Sequence, residues 1–231
     1  MTTAPNPIYV ALDTPDVKTA RDLAEAVRPH AGGLKVGLEF VSANGPEGIR
    51  AIVALGLPVF LDVKLHDIPT TVAGAVRALA DLGVSIINIH ASGGTAMMKA
   101  AKEAAGGKAK IIAVTILTSL DDEDMQAVGF AGDAAAQAVR LARLAKSAGL
   151  DGVVCSAHDL KAVRAACGPD FLTVVPGSRP AGSALNDQKR FTTPAEARDA
   201  GADILILGRP VTHAADPREA CRQVAASLGL A

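Results

Sequence analysis

At 231 residues the chain suits one large domain or two small ones, and its hydrophobic content of 49% can fill a sizeable core. A formal net charge of −1, a single Tyr and no Trp leave neither the basic footprint nor the aromatic platform that nucleic-acid binding uses. No apolar run reaches the length of a bilayer span, and Met1–Pro7 has neither a basic nor an apolar leader segment. The expectation is a soluble, unexported, cytoplasmic protein with no membrane or nucleic-acid partner. Cys155, Cys167 and Cys221 are odd in number, far apart and outside any C-x-x-C pair, so they read as reduced packing residues.

In chain order, strands are expected near 8–12, 33–37, 58–64, 85–90, 110–115, 152–155, 171–175 and 204–207. Helices are expected between them near 18–28, 45–55, 71–81, 94–105, 134–148, 158–167 and 194–200, with a last one at 217–228. Four units repeat one pattern, an Ala-rich amphipathic run, then a glycine (Gly56, Gly83, Gly149, Gly201), then a short apolar run rich in β-branched residues. A glycine just past a helix end takes the left-handed conformation that stops the helix. A strand that returns after a helix must lie parallel to the one before it. Thr193-Pro194-Ala195-Glu196 reads as a capping box, and Asp133 and Asp216 as N-caps. The acidic run Asp121–Asp124 reads as a solvated loop leading into the next helix.

Eight β and eight α units in this length fit an α/β protein with one domain over residues 1–231, a single (β/α)8 TIM barrel. An open doubly wound sheet would need a Gly-rich phosphate loop after its first strand, and Ala11-Leu12-Asp13-Thr14-Pro15 is not one. A barrel places its active site at the C-terminal ends of the strands. Unusual polar residues collect there: Asp13, Lys35, Asp62 and Lys64, Asn88 and His90, Thr118-Ser119, Pro176-Gly177-Ser178-Arg179, and Gly208-Arg209.

The richest segment is Asp62-Val63-Lys64-Leu65-His66-Asp67-Ile68-Pro69-Thr70-Thr71. Side chains at i and i+2 of a strand share a face, so Asp62 and Lys64 should point the same way, with Asp67 beyond the strand end. An isolated D-x-K would be a strand-end salt bridge. At the mouth of a barrel the same triplet reads as a lysine flanked by carboxylates and aimed at a substrate. The loop at 176–192 has the length and composition of a lid. Gly208-Arg209-Pro210, after the eighth strand, suits a phosphate site. His66 and His90, beside Asp62, lack the clustered spacing of a metal site and read as supporting or packing residues.

With these residues assembled, the chain resembles the orotidine 5′-monophosphate decarboxylase family, bacterial type. The resemblance runs in order through Leu12-Asp13, Leu34-Lys35-Val36-Gly37, Asp62–Thr71, Leu117-Thr118-Ser119, Val175–Pro180, Asp187–Arg190 and Leu207–Pro210. The D-x-K-x-x-D-I-P core is its most specific part. Thr70 and Asn186 depart from the family pattern, which has Asn and Gly there, and neither belongs to the charged core.

The resemblance implies decarboxylation of a nucleotide substrate to uridine 5′-monophosphate in pyrimidine biosynthesis, with no cofactor and no metal. It implies that Lys64 donates a proton to C6 of the pyrimidine, that Asp62 lies beside the departing carboxylate, and that Lys35 and Asp67 complete an alternating charge network. Asp13 and Thr71 would contact ribose and Thr118 and Ser119 the base. Arg179, Gln188, Gly208 and Arg209 would bind the phosphate or close the lid over it, and Pro176 would contact the substrate. A homodimer is implied, in which Asp67 and Thr71 reach into the neighbour's site. A sugar-phosphate decarboxylase or aldolase branch of the same superfamily uses Mg2+ and is expected to carry a glutamate where Lys35 stands, so Lys35 argues against it. A phosphate-binding barrel without chemistry is the other alternative, disfavoured by the intact set Lys35, Asp62, Lys64 and Asp67.

Overall fold

The computed structural model describes residues 6–178 and 192–230. Its eight strands are β1 (Ile8–Ala11), β2 (Gly33–Gly37), β3 (Val59–Leu65), β4 (Ile86–His90), β5 (Lys110–Val114), β6 (Gly152–Val154), β7 (Leu172–Pro176) and β8 (Ile204–Leu207). All pair in parallel with their sequence neighbours, and β8 returns to β1 through Ile8–Leu205 and Val10–Leu207, closing the barrel. The (β/α)8 expectation therefore holds. No described helix is long and apolar enough to cross a membrane.

Strand alternation divides the core in two. Tyr9 and Ala11 of β1 join Phe60, Ile86, Ile112, Val174, Ile204 and Ile206 in a cluster that fills the barrel. Ile8 and Val10 face the other way, into the larger layer between sheet and helices. A side chain has no room at Gly152 of β6, where a Cβ would run into the carbonyl oxygen of Leu172 on β7.

The helices are α1 (Val17–Val27), α2 (Leu38–Val53), α3 (Pro69–Ala80), α4 (Gly94–Ala105), α5 (Asp122–Ala127), α6 (Ala134–Ser147), α7 (Leu160–Cys167), α8 (Pro194–Asp199), α9 (Arg209–Thr212) and α10 (Pro217–Ser227). Gly56, Gly83, Gly149 and Gly201 take φ values of 83°, 85°, 81° and 104°, the left-handed stops read from the repeated pattern. Asp133 and Asp216 cap α6 and α10, and Thr193 and Glu196 form the expected capping box of α8.

Three expectations need correction. The helix expected to start at 45 begins at Leu38. It is broken at Gly45 (φ 57°, ψ −155°), where Pro46 starts a fresh helical run, and buried Phe40 anchors the segment before the break. The acidic run at 121–124 is no plain loop. Asp121 accepts from the Asp124 amide, and the Asp124 carboxylate accepts from the Asp121 amide, a reciprocal cap that starts α5. Third, the segment after Gly208 winds into the one-turn helix α9.

The end of the barrel opposite the strand C-termini is held by two similar clamps. Lys102 of α4 pairs with Asp151 ahead of β6, and the Asp151 carboxylate also accepts from the Ile111 amide of β5. Arg164 of α7 pairs with Asp203 ahead of β8, which accepts from the Thr173 amide of β7. Each clamp ties a helix to two strands. This leaves the opposite mouth to carry chemistry.

Candidate active site

The mouth owes its shape to an irregularity between β3 and β4. Leu61 pairs with Ile87 and Leu65 with Ile89, so Asp62, Val63 and Lys64 together stand opposite the single residue Asn88. Lys64 has φ 50°, the sole positive φ outside glycine among the described residues. A non-glycine residue pays strain for the left-handed region, and such strain persists only where surrounding contacts fix it.

Within this bulge Asp62 and Lys64 share a side, as their spacing predicts, and Lys64 Nζ lies 2.6 Å from Asp62 Oδ1. Lys35, in the middle of β2, is buried. Its Nζ lies 2.8 Å from Asp13 Oδ1 and 3.4 Å from Asp62 Oδ2. Gly37 follows on the same face, and a Cβ there would press on both Asp13 and Lys35 at 3.1 Å. The result is an alternating row, Asp13–Lys35–Asp62–Lys64. At about 4 Å and an effective dielectric near 20, each opposite-charge contact is worth on the order of 4 kcal/mol, against several kcal/mol of desolvation per buried ion. The row is stable because each interior charge has opposite charges on both sides.

Burial pushes the Asp62 carboxyl up. The charges of Lys35 and Lys64 and hydrogen bonds from Lys64 and Asn88 outweigh that and hold it below the ordinary 3.8. His90, at the end of β4, is pushed below 6.5 by burial first, then by its neighbours His66 and Lys64, with Asp62 opposing. The His66 and His90 rings tilt against each other at 5.5 Å. No cluster of three or more His, Cys, Asp or Glu suited to a metal occurs among the described residues. The three cysteines are buried, and burial pushes the Cys155 thiol up to about 12 and the Cys221 thiol up to about 11. They pack.

An open cavity of about 320 Å³ occupies the mouth. Asp13, Lys35, Asp62, Lys64, Thr118, Pro176, Gly208 and Arg209, all singled out from sequence, line it. Ser119 is exposed and does not line it. Asp67 and Thr71 are exposed on the same chain's β3–α3 connection and first helical turn, outside the cavity. Asp67 lines a separate shallow cavity with His66, Ile68, Pro69, Ser92 and Gly93, and its carboxylate accepts from the Ile68 amide. Thr70 is exposed on α3. Arg179 and Gln188, with Asn186 and most of the expected lid, lie outside the described residues.

The Orotidine 5′-phosphate decarboxylase / HUMPS family model matches residues 6–224. The chain belongs to this family. Relatives named orotidine 5′-phosphate decarboxylase include one from Paramagnetospirillum magneticum, 52% identical over 97% of this chain and 99% of its own. Another, from Novosphingobium aromaticivorans, is 54% identical over 96% and 99%. The crystal structure of orotidine 5′-phosphate decarboxylase from Lactobacillus acidophilus superposes with a TM-score of 0.84 at 36% identity, covering 95% of this chain and 97% of that one. Against this family background two residues gain interest that the sequence places among the polar residues of the mouth without a role. Asn88 is fully buried at the bulge, and its signal was an amide side chain in an otherwise apolar strand, Ile86-Ile87-Asn88-Ile89. Ser178 lines the cavity with a buried hydroxyl that has no hydrogen-bond partner among the described residues.

The His90 shift carries a stability signature. In the unfolded chain His90 titrates at its ordinary 6.5, while the fold disfavours its charged form. Below that pH the unfolded state binds the extra proton, so the contribution of His90 is complete above 6.5 and is lost as pH falls toward the folded value. Melting temperature should therefore drop between about pH 7 and pH 5, and His90→Gln should make that drop shallower. An unchanged slope in His90→Gln would show that His90 protonates as freely in the fold as outside it.

Proposed function

We propose that the chain decarboxylates orotidine 5′-monophosphate to uridine 5′-monophosphate, a step of pyrimidine biosynthesis, with Lys64 as the proton donor. One observation carries the reading: a lysine ammonium held 2.6 Å from a carboxylate at the wall of a cavity that also contains Gly208 and Arg209. β3 and β8 are three strand positions apart around the barrel, so the lysine and the arginine can take opposite ends of one ligand. Family membership and the names of the close relatives support the same substrate.

The chemistry follows from charge placement. The bond between C6 and the carboxylate breaks, CO2 leaves, and the electron pair stays on C6 as a localised carbanion. The Lys64 ammonium stabilises that charge as it develops and then gives its proton to C6. Asp62 meets the substrate carboxylate with like charge, which favours its departure. Arg209 and Gly208 bind the phosphate, with Arg179 and Gln188 assigned to the lid over it. That remote binding energy aligns the ring. Asp13 takes the ribose, Thr118 and Ser119 the base, and Pro176 the wall between base and phosphate.

No electron is gained or lost overall, so the reaction asks for no redox cofactor. The Mg2+-dependent sugar-phosphate branch is disfavoured by Lys35, whose ammonium sits between Asp13 and Asp62, where a cation held by those carboxylates would have to bind. We assign Asp67 and Thr71 to a neighbouring subunit's site in a homodimer. Their exposure beside Ile68, itself 64% exposed, supports a contact at this rim.

Purified protein mixed with orotidine 5′-monophosphate and EDTA should change the ultraviolet absorbance of the pyrimidine. Lys64→Ala should abolish the change while leaving the fold intact. Loss of the reaction in EDTA, restored by Mg2+, would move the chain to the sugar-phosphate branch. More than a few per cent of activity in Lys64→Ala, as an order-of-magnitude threshold, would remove the lysine from its role.

The shared site has its own test. Lys64→Ala and Asp67→Asn chains should each be nearly inactive, yet co-expression should recover about a quarter of wild-type activity per chain, because half the dimers are mixed and each has one complete site of two. Mixed dimers as inactive as their parents would place Asp67 in its own chain's service.

A further inference from the structure

We infer that Asn88 is the positioning residue of this site, fixing Lys64 and Asp62 together through the two ends of one amide. Asn88 is 0% exposed and stands directly opposite the bulge. Its Oδ1 accepts from the Lys64 backbone amide at 2.8 Å, and its Nδ2 donates to Asp62 Oδ1 at 2.7 Å. The amide orientation is set by chemistry. A carboxylate only accepts and a backbone N–H only donates, so the reversed amide would lose both bonds.

The role follows from the backbone. In the bulge Lys64 leaves the regular ladder, and its left-handed φ of 50° would leave a partly buried N–H without a strand partner. The Asn88 side chain supplies that missing acceptor. The same side chain holds the carboxylate oxygen that receives Lys64 Nζ. Asn88 thus fixes the lysine at both ends, its Cα through the peptide amide and its ammonium through Asp62. Leucine would match the volume and make neither bond. Serine is too short to reach both. The inference rests on Lys64 being the proton donor, and the experiment below separates the two.

The test compares Asn88→Ala, Asn88→Asp and Lys64→Ala for kcat and KM with orotidine 5′-monophosphate across pH, beside melting temperature. Asn88→Ala should lower kcat by about 100-fold with KM within about threefold, since a displacement of about 1 Å at the reacting group has that effect. The acid limb of its kcat/KM profile should move to higher pH, because Asp62 loses a hydrogen bond that favours its charged form. Asn88→Asp is nearly isosteric and keeps an acceptor for the Lys64 amide. Protonated, its new carboxyl can also donate to Asp62. Its activity should therefore be highest at low pH and fall as the carboxyl pair loses its shared proton.

The Asp variant carries the test if the Ala variant does not fold. An Asn88→Ala protein within about threefold of wild type in kcat, with an unmoved pH profile, would overturn the inference. An Asn88→Asp profile of wild-type shape would do the same. Full activity in Asn88→Ala beside an inert Lys64→Ala overturns this inference alone, whereas an active Lys64→Ala removes its premise and the inference with it.

Discussion

The mouth of this barrel depends on one carboxylate. Asp62 Oδ1 receives both Lys64 Nζ and Asn88 Nδ2, while Lys35 approaches Oδ2. Take that charge away and two ammonium groups face each other across a half-buried pocket with little solvent to screen them. Keep it, and each lysine has a fixed bearing. The lowered pKa of Asp62 expresses the same balance, burial opposed and overcome by its cationic and hydrogen-bonding neighbours.

This arrangement separates stability from chemistry along the barrel axis. At the strand starts, Asp151 and Asp203 accept backbone N–H groups and pair with helix cations, so their charges are satisfied within the fold. At the strand ends Asp13 is half exposed and Lys64 about a third exposed, which leaves their charge available to a ligand. The positive φ of Lys64 belongs to the same division, since strain persists where the surroundings over-determine the backbone.

Much of this was legible in the sequence, for identifiable reasons. Glycine after an apolar helical run has few alternatives to the left-handed stop, so Gly56, Gly83, Gly149 and Gly201 marked where strands begin. Two-residue periodicity put Asp62 and Lys64 on one side. The bulge was not legible. Lysine carries no preference for φ 50°, and the irregularity arises from register with β4, twenty-odd residues away. Asn88 stood out as a polar residue of the mouth, but its role was hidden for the same reason, because its partners lie 24 and 26 residues back in the chain. At α5 the charge of Asp121–Asp124 masked its spacing, in which the first and fourth carboxylates cap each other's amides. The reach of Asp67 and Thr71 into a neighbour's site came from family resemblance alone, and within one chain both stay outside the cavity.

The central claim, that the bulge aims Lys64 at C6, is tested most directly by a crystal structure of the protein with uridine 5′-monophosphate bound. The account predicts C6 within about 3.5 Å of Lys64 Nζ, near Asp62, with the phosphate against Gly208 and Arg209. A ring bound with C6 turned toward Thr118 and away from Lys64, or a phosphate seated elsewhere, would contradict it.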